Sequence, residues 1–195
     1  YAALMQRGDF TQTASCRVQA IFKEWHTCWG PIKKDIDSGN CIVYSFGVAD
    51  YDEYTFGMAR LGCKVYAFDP GENHPKHMAE NITFHRYGLL TGARSIDEEK
   101  KFKSSLYGST DKGEYKTMQE IQQILGHGPE TQITALKVDC EGCEWYLFST
   151  FPLRQFKQIH TELHFSTTLR FDESQLKRMP DVRRALSNFS VAYHS

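Results

Sequence analysis

Short apolar runs bounded by turn residues recur along this chain, and stretches with helical spacing separate them. Cys41–Phe46, Lys64–Phe68, Ile82–His85, Ile133–Val138 and Gln158–Phe165 are four to eight residues long and read as buried strands. Between them, Tyr54–Leu61 is helical and stops at Gly62. Thr117-x-x-Glu120 is a capping box that opens a helix carrying Ile121, Ile124 and Leu125, with Gly126 as its stop. Glu144–Phe151 reads as a helix ended by Pro152, Glu173–Leu186 as a helix despite Pro180, and Phe189–Tyr193 as a sixth strand. Ahead of the first strand, Val18, Ile21, Phe22 and Trp25 recur at helical spacing. Gly30-Pro31 interrupts that pattern, and Ile32 and Ile36 resume it. Residues 1–40 are therefore expected to be a helical segment preceding a domain over 41–195. His74–Glu80 has room for one or two helical turns, and 86–114 reads as a long polar loop with room for a minor hairpin.

Strands alternating with helices imply an α/β fold with a mostly parallel sheet and helices on both faces. Right-handed crossovers then bring the functional loops to the carboxyl ends of the strands. Those ends are Ser45-Phe46-Gly47, Asp69-Pro70, Tyr87-Gly88-Leu89, Asp139-Cys140-Glu141-Gly142 and Glu162-Leu163-His164. Glycine, acidic and polar residues gather there.

Composition narrows the partners. With 41% hydrophobic and 24% charged residues the chain is a folded globule rather than a disordered one. Lys plus Arg number 23 against 24 Asp plus Glu, so charge gives no case for nucleic acid or anionic lipid. No apolar run approaches the roughly 18 residues that span a bilayer, so no membrane contact is expected of this segment. The chain opens at Tyr1 and closes at Ser195 near the sixth predicted strand, so a segment of a longer protein lacking a terminal strand is expected. Asn81-Ile-Thr83 and Asn188-Phe-Ser190 are N-glycosylation sequons, which with six cysteines favours a secretory or extracellular route over the cytoplasm.

Asp69 lies 22 residues beyond Gly47, the spacing at which a carboxylate meets an adenosine ribose. It could equally cap the turn of Asp69-Pro70-Gly71. Gly-x-Gly-x-x-Gly is absent, which argues against a nicotinamide or flavin oxidoreductase. Instead the turn after Gly47 holds Asp50, Asp52 and Glu53, which suits a cationic ligand such as S-adenosylmethionine. Asp139 and Glu141, and likewise Glu162 and His164, are two apart, so each pair can face one side of an extended chain. If their strands are neighbours, the group supplies a general base, with His164 and Asp139 leading. The same side chains could ligate a divalent ion, but no metal is assigned. Cys140-x-x-Cys143 lacks the companion ligands of a zinc site, so packing or unrelated disulfides are expected there. Cys41 and Cys63 begin the first two strands and could pair.

Together Val43-Tyr-Ser-Phe-Gly47, Leu61-Gly-Cys-Lys-Val-Tyr-Ala-Phe-Asp-Pro70 and Leu136-Lys-Val-Asp-Cys-Glu-Gly-Cys-Glu-Trp145 resemble the eukaryotic methyltransferase-like domain family. That family is related to the FkbM-type S-adenosylmethionine-dependent methyltransferases. Phe84-His85-x-x-Gly88-Leu89 and Ile124-Leu-Gly-His127 are similar to family features, and the likeness covers roughly 40–165. The resemblance implies a Rossmann-like class I methyltransferase fold and S-adenosyl-L-methionine as cofactor. It implies that Ser45, Phe46 and Gly47 form the first cofactor loop and that Asp69, beside Pro70, binds the ribose. Gly88 and Leu89 would line the adenine region, and Asp139 and Glu141 would sit near the methionine end and the acceptor. The expected activity is O-methylation of an unidentified sugar, peptide or small molecule. Asp52 stands where the pattern usually has a second glycine, so a catalytically degenerate binding or structural subunit is the alternative.

Overall fold

The computed structural model describes residues 19–23, 25–48, 52–71, 81–90, 95–98, 100–101, 113–164, 173–187 and 189. Five strands form one parallel sheet: β3 (Ile42–Phe46), β4 (Lys64–Phe68), β5 (Ile82–His85), β8 (Ala135–Val138) and β9 (Ile159–Thr161). Their order across the sheet is β5-β4-β3-β8-β9. The chain thus moves outward from β3 in one direction, then crosses back to β8 on its other side. That reversal is a topological switch point, where the crevice of an open α/β sheet lies.

Alternation along the strands explains why both faces are covered. Tyr44, Phe46, Tyr66, Phe68, Leu136 and Val138 point to one face. They pack there against α3 (Met118–Leu125), α4 (Cys143–Thr150) and α5 (Glu173–Leu186) through Ile121, Trp145, Phe148 and Val182. Val43, Val65, Ala67 and Ala135 point to the other face, against α1 (Trp29–Asp37) and α2 (Glu53–Arg60) through Ile32 and Met58. A strand buried on both sides needs apolar residues at both phases, hence the continuous runs. The capping box of α3 is formed as the spacing predicts, with Gly126 left-handed at its end.

The amino-terminal segment departs from expectation. Over the described residues it is a hairpin of β1 (Gln19–Phe22) and β2 (Trp25–Cys28), followed by α1. Two periods compete in this sequence, and tertiary burial decides for the shorter one. In β2, Trp25 and Thr27 are buried while His26 and Cys28 are half-buried, the alternation of a strand. Pro31 does not break α1, because it falls in the first turn, where backbone N–H groups have no helical partner. Three contacts tie this segment to the rest of the domain. The Gln158 amide donates to the Cys28 carbonyl and accepts from its N–H, both at 2.9 Å. Buried Asp35 accepts from Lys157 at 2.6 Å and from Thr134 at 2.6 Å. The Phe22 ring lies directly on Gly57 of α2.

The stretch read as a long loop contains β6 (Tyr87–Leu89) and ends at the start of β7 (Glu114–Lys116), and the two pair in parallel as a separate two-stranded sheet. A strand pair of three residues each carries too little periodicity to stand out. Cys41 and Cys63 are bonded to each other, with Cα atoms 4.6 Å apart, at the amino ends of neighbouring β3 and β4. Cys28 is disulfide-bonded as well. The predicted turns at His74–Glu80, most of the predicted strand at Phe189–Tyr193, and Cys16 lie outside the described residues.

Gly57→Ala tests how the hairpin docks. A Cβ there overlaps the Phe22 ring, so the change should cost about 1–3 kcal/mol. In a Phe22→Ala background the overlap is gone, and the same change should stabilise by up to about 1 kcal/mol through helix propensity. Urea denaturation of the four proteins measures both steps; equal effects in the two backgrounds would refute the contact.

Candidate functional site

Gly47 ends β3 in a left-handed conformation, φ +77°. Its N–H donates to the Phe68 carbonyl at 2.9 Å, binding the loop to β4. Any Cβ at this position would strike the Asp139 carbonyl oxygen just past β8. Glycine is therefore demanded by the approach of two protein strands, quite apart from any ligand. Asp52 then caps α2, accepting from the Thr55 N–H at 3.1 Å and also from the Thr55 hydroxyl. Ser45 completes the trio, 2.9 Å from the Thr55 hydroxyl and 3.3 Å from the Asp52 carboxylate.

Lys137 of β8 reaches into the same loop. Its side chain is only 2% exposed, and its ammonium donates to the Gly47 carbonyl at 2.9 Å. It stands 3.5 Å from Asp52 and 3.6 Å from Asp139, with the Trp25 ring of the hairpin 5.2 Å away. The cation thus joins the loop after β3 to the end of β8 across the switch point.

Beyond β8 the backbone turns left-handed at Glu141 (φ +59°) and Gly142 (φ +112°) before α4 starts. Cys140 and Cys143, expected to serve packing or unrelated disulfides, are bonded to each other across this turn, Cα atoms 5.6 Å apart. Glu144, fully buried, accepts from the Cys140 N–H at 2.9 Å and the Gly142 N–H at 2.8 Å. One of its oxygens lies 3.1 Å from Nδ1 of His164, while the Trp145 indole donates to the His164 carbonyl at 2.7 Å. The imidazole is thereby fixed with Nε2 turned to Asp139 (3.8 Å), Glu141 (3.6 Å) and Glu162 (3.9 Å). The hydrogen bond with Glu144, then the charges of Glu144, Glu141 and Asp139, outweigh burial and raise the His164 pKa to about 9. Burial pushes Asp139 up from the ordinary aspartate value, against the pull of Lys137 and His164.

Gly47, Asp139, Glu141, Glu162 and His164 thus meet at neighbouring strand ends, as their spacing suggests. Asp69 lies one strand away, its Oδ1 accepting from the Gly71 N–H at 2.8 Å. The turn-capping role is realised there. Pro70 is half-buried, its carbonyl accepting from the Gly113 N–H at 3.0 Å. Ser45 is buried with its hydroxyl engaged by α2, and Phe46 is a core residue stacked on Phe68 at 4.3 Å between centroids. Gly88 and Leu89 belong to β6, where Gly88 lies under the Tyr115 ring and Leu89 enters the core. Only the backbones of Ser45 and Phe46 line the strand end. Lys137, Glu144 and Trp145 were not singled out as site residues by sequence reasoning, whereas Asp52 was read as part of an acidic turn and at the second-glycine position. The first three stand inside Leu136–Trp145, so that segment was the available signal. Asp139, Glu162 and His164 could also hold a divalent ion, their ligand atoms lying within 4.8 Å of one another, in competition with the proton on His164.

A folded-state pKa raised from 6.5 to about 9 has a definite sign. The protonated imidazole contributes stability in full below about pH 6.5, and the contribution is lost as pH rises through about 9. NMR titration should place the His164 midpoint near 9, whereas fully buried His160 is pushed down to about 4. Thermal melts from pH 7 to 10 should fall more steeply for the native protein than for His164→Gln. A His164 midpoint between 6 and 7 would contradict the geometry.

A family model described as a methyltransferase domain matches residues 7–178. No curated protein and no solved structure matches the chain. The matched span takes in the hairpin, the switch-point loop and every residue placed around Lys137 and His164. With its parallel sheet flanked by helices in Rossmann-like order, the chain belongs to the methyltransferase-domain family.

Proposed function

We propose that the chain is an S-adenosylmethionine-dependent methyltransferase of class I, related to the FkbM type, that transfers its methyl group to an oxygen acceptor. The junction of β3 and β8 carries this reading, because five carboxyl side chains (Asp52, Asp139, Glu141, Glu144 and Glu162) gather there with two basic ones, Lys137 and His164. Such an excess suits a ligand bearing both an ammonium and a sulfonium. The residues present fit that cofactor: the Gly47 loop and Asp139 for its methionine end, and the Asp69 carboxylate for its ribose. Asp52 in place of a second glycine is accounted for by its two structural duties, capping α2 and facing Lys137.

When bound, the cofactor supplies an electrophilic methyl group. The chain has then to orient an acceptor hydroxyl and take its proton. Asp139 suits that task, since it is 29% exposed and burial makes it a stronger base than an ordinary aspartate. His164 keeps its proton to about pH 9, so near neutrality it is a cation that donates to Glu144 and faces Asp139 and Glu141 as an ion-pair partner rather than accepting a proton. The acceptor is a hydroxyl of a sugar, peptide or small molecule. The disulfides support a secretory or extracellular setting.

Calorimetry with S-adenosylhomocysteine should show binding in the micromolar range. Asp69→Ala should weaken it roughly ten- to a hundredfold, the worth of about 1.5–3 kcal/mol for hydrogen bonds to a charged group. Absence of binding by folded, disulfide-intact protein would sink the reading. Binding without transfer to any hydroxyl acceptor would instead identify a degenerate domain.

A further inference from the structure

We infer that Asn81 is a site of N-linked glycosylation, placed where a glycan leaves the candidate crevice open. The inference rests on the secretory setting proposed above, and not on the chemistry of the crevice. Asn81-Ile82-Thr83 meets the acceptor rule, and both Asn81 and Thr83 are exposed while Ile82 between them is buried. The backbone of Asn81 is part of the sheet, its carbonyl accepting from the Val65 N–H at 2.8 Å. Its side chain is not. The amide makes a contact at the 3.5 Å limit with the Ala59 carbonyl, so little is lost when that nitrogen carries a sugar.

Position within the sheet makes the modification compatible with activity. All five strands of the sheet run parallel, and Asn81 immediately precedes β5, so it lies at the amino-end edge. Gly47, Asp139 and His164 follow the carboxyl ends, on the opposite edge. Among the described residues β5 is also the outermost strand on its side, a position where bulk outside the sheet discourages edge-to-edge association. The Cys41–Cys63 disulfide, part of the support for that setting, lies at the same amino-end edge. In the modification the Asn81 amide nitrogen forms a bond to the anomeric carbon of a lipid-diphosphate-linked oligosaccharide. The carbon–oxygen bond to the diphosphate breaks, the lipid diphosphate leaves, and the amide gives up one proton.

The test is expression of the full chain in animal cells behind a cleavable signal peptide, which supplies the route whatever the natural one is. Peptide mass spectrometry before and after N-glycosidase F should find the glycan on Asn81, converted to Asp on release. Asn81→Gln and Thr83→Ala should each abolish it, and Asn188→Gln should leave it in place. S-adenosylhomocysteine affinity should change less than twofold on enzymatic deglycosylation, whereas a greater change would put the glycan at the crevice and overturn its placement. An unmodified Asn81 peptide from the native sequence overturns the site outright, and needs no variant to fold.

Discussion

Lys137 sits almost wholly out of water at the point where the sheet reverses direction, with the Gly47 carbonyl, Asp52 and Asp139 around it. An ammonium in such a place is tolerable only if its neighbours are held in position, because an unpaired buried charge is strongly disfavoured. Much of the surrounding structure follows from that requirement. Gly47 must take a left-handed turn to present its carbonyl, and Asp52 must open α2 close to the strand end. The hairpin contributes Trp25, whose ring lies 5.2 Å from the ammonium. What first looks like a faulty glycine loop is a loop organised around a cation.

A second constraint operates one strand away. Glu144 enters the core as the second residue of α4 and gathers two backbone N–H groups together with the His164 imidazole. The acidic turn after β8 and the end of β9 are thereby fixed relative to one another without direct pairing beyond the sheet ladder. Asp139 lies between the two arrangements, facing Lys137 on one side and His164 on the other. Two carboxyl groups two residues apart in sequence thus come to differ: Asp139 is set between cations, while Glu141 faces the imidazole from a left-handed turn.

The sheet was largely legible in the sequence, because doubly buried strands leave uninterrupted apolar runs; β4 and β5 match their predicted bounds, and Thr117 with Glu120 marked α3 directly. The amino-terminal hairpin was not, since Ile21, Phe22 and Trp25 fit both periods, and only packing on α2 and β9 decides between them. At the site, the convergence of acidic residues at strand ends was legible from spacing alone. Lys137 and Glu144 were not, because the partners that give each its place across the sheet are distant in sequence: Gly47 and Asp52 for Lys137, and His164 for Glu144. Ser45, Phe46 and Leu89 illustrate the converse: adjacency to a strand end in sequence does not turn a side chain toward the crevice, since alternate residues face the core.

The Cys140–Cys143 bond has a consequence for binding that differs from any role in stability. Loops that line a crevice usually lose conformational freedom when a ligand arrives, and that loss subtracts from affinity. Here the turn carrying Glu141 is closed covalently, anchored by Glu144, and already in a backbone conformation few residues adopt freely. A ligand meeting it would have little disorder to remove. Recognition at this edge of the sheet would then be closer to the fit of rigid bodies than to the ordering of a mobile loop, with shape and charge already in place.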